Sequence, residues 1–530
     1  MWNQRKWLVM AVCAVAALSV GVGGYFVAQE KKDPPPPEEK KTKAPELEGG
    51  VAWLNTGKPI SIAKDLKGKV VLLDFWTLCC INCIHVMPDL AKLEKKYEKE
   101  LVVIGVHSAK FENEKNSESI RKAILRYQIQ HPVVNDAEMK IWDSYGANSW
   151  PTFVLIDPEG NVLGATSGEG NYELLDKVIG KVIEEHKKKG TLDEKPIRFD
   201  TAQFRDKVDS PLYFPGKLLA DEKSNRLFVA DSTNHRIVIS DLAGKVSAVV
   251  GTGKPGYKNG SFADAQFDDP QGMALLGDTL FVADRKNHSI RAVDLKAKTV
   301  TTYAGTGMQG EDRELGGPIA ETKLNSPWAL LINGKQMYVA MAGFHQIWVV
   351  DMDKKDTKPF AGNGRENIKD GPHYFANFAQ PSGLTTDGTT IFVADSETSS
   401  IRAVPMNGEG RVSTLVGTGL FDFGDEDGVG KEAKLQHCLG VLYHEGLLYV
   451  ADTYNSKLKT IDLKTNKVTT ILGPGKDAKA PELNEPGGLS IAGGKIYIAD
   501  TNAHRIRVYD LKTKALTTLT LSNVQPVTGN

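Results

Sequence analysis

Residues 75–88 read Phe75-Trp76-Thr77-Leu78-Cys79-Cys80-Ile81-Asn82-Cys83-Ile84-His85-Val86-Met87-Pro88 and follow directly on the apolar run Val70 to Leu73. Three of the chain's five cysteines fall within five positions here. A strand feeding a helix at this point sets Cys80 and Cys83 one helical turn apart, close enough for a disulfide. Cys80 then stands at the helix N-terminus, where unpaired N–H groups and the macrodipole favour a thiolate over a thiol. Thiol–disulfide exchange needs that arrangement, so Cys80 and Cys83 are the candidate reactive pair.

Working outward, Val70 to Asp74, Leu101 to Val106 and Thr152 to Ile156 read as strands. Asp89 to Tyr97, Ser117 to Tyr127 and Tyr172 to His186 read as amphipathic helices between and after them. That alternation predicts an α/β layer fold. Gly68 through Trp76, the Cys80/Cys83 pair, Pro88, and Tyr145 with Trp150-Pro151-Thr152 on to Gly160 resemble the thioredoxin superfamily, in its membrane-tethered TlpA/ResA-like branch. The resemblance implies that Cys80 is the attacking thiolate, Cys83 the resolving thiol and Pro151 the cis-proline beside the sulfurs. It further implies that Trp76 packs under the site, Asp74 is a buried carboxylate assisting proton transfer, and Pro88 kinks the active-site helix. Two positions depart from the pattern: Cys79 stands where Trp is usual, and Asn82 where Pro or Gly precedes the second cysteine. The reduction potential is therefore not carried over. Cys79 could pair with Cys80 or Cys83, and Cys79, Cys80, Cys83 and His85 together offer donors for a soft metal such as copper or zinc. His85 reads otherwise as a helix-surface residue.

The second half repeats one phrase six times: Phe228-Val-Ala-Asp231, Phe281-Val-Ala-Asp284, Tyr338-Val-Ala-Met341, Phe392-Val-Ala-Asp395, Tyr449-Val-Ala-Asp452 and Tyr497-Ile-Ala-Asp500. Periods near fifty residues with several short strands each predict a six-bladed β-propeller. In one unit, strands open at Pro270, Thr279, Ser289 and Thr299, with glycine-rich turns after them. The pattern resembles NHL repeats, with Pro270, Pro381 and Pro486 opening blades and Cys438 replacing the proline in the fifth. His235, His288, His345 and His504, with Ser399 and Ser456, occupy one turn slot. Equivalent slots are spread around a ring, too far apart to share a metal, so they read as turn stabilisers. The repeated Asp reads as a partner for turn backbone. Trp328, Phe344 and Trp348 make the third blade aromatic: a gap filler, or a contact surface. The joint architecture resembles the family of NHL repeat-containing protein 2 and its bacterial relatives.

Trp7 to Ala28 is an apolar run behind Arg5 and Lys6, long enough to cross a bilayer with its basic flank inside. Asp33 to Glu46, with Pro34 to Pro37, reads as an extended spacer. The expected organisation is a membrane anchor or uncleaved signal at 1–29, a linker at 30–46, a thioredoxin-like domain at 47–190 and a propeller at 200–521. The folded part is expected outside the inner membrane, in the periplasm. With 65 basic and 66 acidic residues the net charge of -1 gives no field for a polyanion, and no nucleic acid is expected. No enzyme-like constellation recurs in the propeller. The expected activity is a tethered thiol–disulfide oxidoreductase acting on protein thiols or disulfides, recharged by an upstream redox partner, with no cofactor or resident metal. Its propeller binds a partner or the substrate protein. The alternatives are a non-catalytic scaffold and copper delivery.

Overall fold

In the computed structural model, which describes residues 42–199, 208, 210–473 and 483–525, the apolar run ahead of the cysteines is the centre of a seven-stranded sheet. The elements are β1 (Thr42–Lys43), β2 (Ala52–Leu54), α1 (Ile62–Asp65), β3 (Val70–Trp76), α2 (Ile81–Lys96), β4 (Leu101–His107), α3 (Ser117–Tyr127), β5 (Val133–Asn135), α4 (Lys140–Tyr145), β6 (Thr152–Ile156), β7 (Asn161–Ser167) and α5 (Tyr172–Lys189). The sheet order is β1-β7-β6-β3-β4-β5-β2, with β3 parallel to β4 and antiparallel to β6. All seven residues of β3 are buried, because helices cover both faces of the sheet. Val70 and Leu72 pack with Leu90 and Leu93 of α2 and with Ile179 of α5. Val71, Leu73 and Phe75 pack on the other face with Ile62, Ile141 and Trp142.

The folded unit begins before the expected boundary at 47. Thr42 and Lys43 pair with Val162 and Asn161, and the Glu46 carboxylate accepts N–H bonds from Ile62 and Ala63, each 2.9 Å. It also runs past 190: Lys69 donates to the carbonyls of Asp193 and Lys195, and Ile197 and Phe199 pack on the core. The expected anchor and most of the expected linker lie outside the described residues. Among the described residues no helix is long and apolar enough to cross a membrane.

The second half is a six-bladed propeller of four-stranded antiparallel meanders, the middle four each extended by a two-residue fifth strand on the outer edge. The blades open with strands Lys217–Asp221, Pro270–Leu276, Pro327–Asn333, Pro381–Thr386, Gly440–His444 and Pro486–Ala492. Each repeated phrase is the second strand, followed by a tight turn, 3-10 in five blades and a plain turn at 285–288 in the second, ending at the His or Ser slot in the left-handed region, φ 46 to 55°. The repeated Asp is buried and accepts backbone N–H groups, as Asp231 does from Tyr213 and Asp395 from Ala379.

The His/Ser slot does more than stabilise its own turn. In every blade it accepts a backbone N–H from the segment leading into the next blade's opening strand, directly before the strand in four cases and three residues before it at Phe214 and His437. His504 takes Phe214, His235 takes Asp269, His288 takes Ser326, His345 takes Gln380, Ser399 takes His437 and Ser456 takes Glu485, at 3.0–3.2 Å. Those six recipients also have positive φ, 48 to 61°. The sixth-to-first bond closes the ring, and Ser522 reinforces it by accepting from Val246 at 3.1 Å and donating to Gly244 at 3.0 Å.

Burial holds His345 down at about 4, so its Nδ1 stays a neutral acceptor at neutral pH. Replacing it with Ala leaves the Gln380 N–H without a partner and should lower stability at pH 7 by about 1–3 kcal/mol in denaturant titrations. A depressed histidine makes the unfolded chain the better proton binder between about pH 4 and 6.5, so this contribution is lost as pH falls. The gap between wild type and His345→Ala should therefore close on acidification to pH 4.

Candidate functional site

Cys80 is the N-cap of α2. Its backbone is extended, and its Sγ accepts the Cys83 N–H at 3.4 Å. β6 runs antiparallel to β3, with Thr152 opposite Phe75, so the segment just before β6 comes to the head of α2. The Trp150–Pro151 peptide there is cis, and the Trp150 carbonyl lies 3.9 Å from Cys80 Sγ. The three thiols differ in access: Cys79 and Cys83 are buried at 2% and 0%, whereas Cys80 is partly exposed. Burial pushes the Cys83 thiol well up, and the neighbouring Cys80 and Asp74 add to it. Burial and the carboxylates of Glu114 and Glu397 do the same to Cys79.

Asp74 sits beneath, fully enclosed in β3. Burial raises its carboxyl to about 7, and its Oδ1 has no hydrogen-bond partner among the described residues. Trp76 is buried in one cluster with Cys79 and Cys83, its ring 4.8 Å from that of His107. His107 Nε2 accepts the Leu78 N–H at 3.2 Å. Glu114 organises the loop ahead of the cysteines, accepting from the Thr77 hydroxyl and the N–H groups of Cys79, Lys110 and Phe111.

The opposite wall is the propeller. The Gln380 carboxamide accepts the Ile81 N–H at 2.8 Å and donates to the Cys79 carbonyl at 3.0 Å. Lys110 and Glu397 form a buried ion pair; burial opposes the lysine's charge, but Glu397 keeps it protonated. Asn113 bonds Gln436 and Glu485, and Arg126 pairs with Glu485 at 3.4 Å. Ile81 and Ile84 pack on Trp328 and Ala342 of the third blade, so Trp328 is a contact surface for the chain's own first domain, whereas Phe344 and Trp348 are fully buried fillers of the propeller core. Between the walls lies a cleft of about 240 Å³, lined by Cys80, Asn82 and Trp150 on one side and His345, Glu366 and Phe421 on the other.

A thioredoxin-like family model matches residues 68–162, and an NHL repeat model matches residues 483–509. NHL repeat-containing protein 2 of Bos taurus is 43% identical over 489 residues, covering 84% of this chain and 67% of its own. The chain belongs to the NHL repeat-containing protein 2 family. Protein SUPPRESSOR OF QUENCHING 1, chloroplastic, of Arabidopsis thaliana is 44% identical over 475 residues, 85% of this chain and 45% of that one. Across the first domain, thiol-disulfide oxidoreductase ResA of Bacillus thuringiensis is 33% identical over 126 residues, 24% of this chain and 70% of its own.

In this member of the family the structure brings Cys80, Cys83, Asp74, Trp76 and Pro151 to one place, with Cys79 alongside but turned inward. His85 is not a surface residue. Its ring is wedged between domains, with Nδ1 2.6 Å from Glu169, Nε2 2.6 Å from Ser326 and its face against His288. It does not join the cysteines as a ligand set, which removes the geometric basis for a metal held by Cys79, Cys80, Cys83 and His85. Glu114, Gln380, Glu397 and His437 were not foreseen. They lie far from the cysteines in sequence, and the one signal available was that Gln380 precedes a blade-opening proline.

Because the folded pKa of Asp74 lies above the ordinary 3.8, the folded state binds the extra proton between about pH 4 and 7, and this group destabilises increasingly as pH rises through that window. Asp74→Asn should thus gain stability over wild type on going from pH 5 to pH 8, read as a widening difference in denaturation midpoint.

Proposed function

We propose that this chain catalyses thiol–disulfide exchange at Cys80 and Cys83 on a substrate that enters the interdomain cleft. The observation that carries the reading is the asymmetry of access: one sulfur open at a helix N-terminus, its partner one turn on and enclosed. In the oxidising half, the Cys80 thiolate attacks a substrate disulfide R–S–S–R′, forming Cys80–S–S–R and releasing R′–S⁻. Asp74, whose carboxyl titrates near neutrality, accepts the Cys83 proton. The Cys83 thiolate then attacks Cys80, forming the Cys80–Cys83 disulfide and releasing R–S⁻. The reverse sequence oxidises a substrate dithiol.

The family match to oxidoreductases such as ResA supports the chemistry. The small volume of the cleft, about 240 Å³, supports an extended segment or a small disulfide as substrate, because a folded surface would meet the propeller wall first. An upstream thiol partner must reach the same cleft to recharge the pair. The apolar run at 7–28 behind Arg5 and Lys6 supports a single-pass tether in the inner membrane with both domains on the extracytoplasmic side.

Cys80→Ser should abolish disulfide reduction of an unfolded protein substrate, while Cys83→Ser should accumulate a mixed disulfide through Cys80 that is visible on non-reducing gels. Asp74→Asn should slow exchange on the order of 100-fold at pH 7 without losing the fold. Activity unchanged in both cysteine variants would reject the mechanism.

A further inference from the structure

Outside the exchange pair, one cluster of ligand-type side chains is enclosed on every side. Cys79 of the first domain, Glu397 in the turn after the second strand of blade four, and His437 before the opening strand of blade five each bring one donor atom within 4.8 Å of the others. All three are buried, with exposures of 2%, 3% and 3%. Glu397 Oε1 and His437 Nδ1 have no hydrogen-bond partner among the described residues, and leaving such groups buried and unpaired is costly. Glu397 uses its other oxygen for Lys110. The His437 ring is held in place, stacked on Tyr454 at 4.4 Å and set against Phe111 at 5.4 Å.

We propose that Cys79, Glu397 and His437 form a zinc site that bridges the thioredoxin-like domain and the propeller. A thiolate, an imidazole and a carboxylate are the donor types zinc takes, and three protein donors leave one position for water or a small thiol. Charge agrees with a divalent ion. Lys110 and Glu397 cancel, and Glu114 accepts four hydrogen bonds, as an ionised carboxylate does. With Cys79 as thiolate the enclosed charge is two negative, which Zn²⁺ neutralises. Binding displaces the Cys79 proton to solvent and forms the S–Zn bond, with no change of oxidation state. The ion takes Cys79 out of disulfide chemistry, so the third sulfur beside the pair does not compete with Cys80 for Cys83. It also ties α2 to blades four and five. This site does not depend on whether Cys80 and Cys83 exchange disulfides.

The test loads the reduced full chain with Zn²⁺ or with Co²⁺ as a spectroscopic substitute, removes free metal by gel filtration, and measures retained metal and absorption. Wild type should retain an equimolar amount and show a sulfur-to-cobalt charge-transfer band. Cys79→Ala should lose the band, and His437→Phe, which keeps the aromatic stack, should weaken binding at least about 100-fold. Cys80→Ser and Cys83→Ser should retain both metal and band. Folded wild type that retains no metal, or a band that survives Cys79→Ala and disappears in Cys80→Ser, would overturn the proposal. Where Cys79→Ala fails to fold, band and stoichiometry retained in Cys80→Ser and in Cys83→Ser still assign the sulfur to Cys79, and their loss in either overturns the proposal.

Discussion

A hydrogen bond from one backbone N–H to the histidine or serine of the preceding blade does more in this chain than close a ring. It holds the donor residue in the left-handed region, a conformation that costs a side-chain-bearing residue about 1–2 kcal/mol. The bond offsets much of that, because a buried N–H without a partner costs about 1–3 kcal/mol. Repeated six times, it presents six side chains around one face of the propeller. Five of them meet the first domain: Phe214 under Arg126, Ser326 on His85, Gln380 on Ile81 and Cys79, His437 on Phe111, and Glu485 on Asn113 and Arg126. The periodicity of the repeat thus becomes the geometry of domain docking.

The candidate site inherits its chemistry from that docking. The α/β fold alone sets Cys80 at the head of α2 with Cys83 beneath it and Asp74 behind. The propeller turns an open surface into a cleft, places a carboxamide on the two backbone groups flanking Cys80, and adds the Glu397 carboxylate and aromatic rings to the burial that pushes the Cys79 thiol up. Three adjacent sulfurs would scramble if equally reactive. Unequal burial separates their roles.

Most of the architecture was legible because it is written in local periodicity. The six repeated phrases, four of them ending in Val-Ala-Asp, located the second strand of every blade, and the apolar run before the cysteines located β3. What stayed hidden was long-range. The edge strand Thr42–Lys43 lies in a segment whose composition reads as spacer, and its place is decided by the free edge of β7. His85 looked solvent-facing on its own helix because the surface it packs against is contributed some 240 residues later. Gln380 and His437 had no part in the sequence reading, since nothing local reveals that a ring of equivalent positions faces another domain. The dithiol and its supporting residues were read from spacing and family likeness, whereas the residues that distinguish this site from other thioredoxin-like sites all come from the propeller.

The claim that the two domains form one body around the dithiol is tested most directly by hydrogen–deuterium exchange on the intact chain, following the amides at the start of α2 and in the turn Glu112–Lys115 ahead of α3. The account expects the Ile81 and Asn113 N–H groups, each bonded to a propeller side chain, to exchange slowly in wild type and at least about 10-fold faster in Gln380→Leu and Gln436→Leu respectively. Fast exchange at both positions in the wild-type chain, unchanged by those substitutions, would mean that the domains are merely tethered and would contradict it.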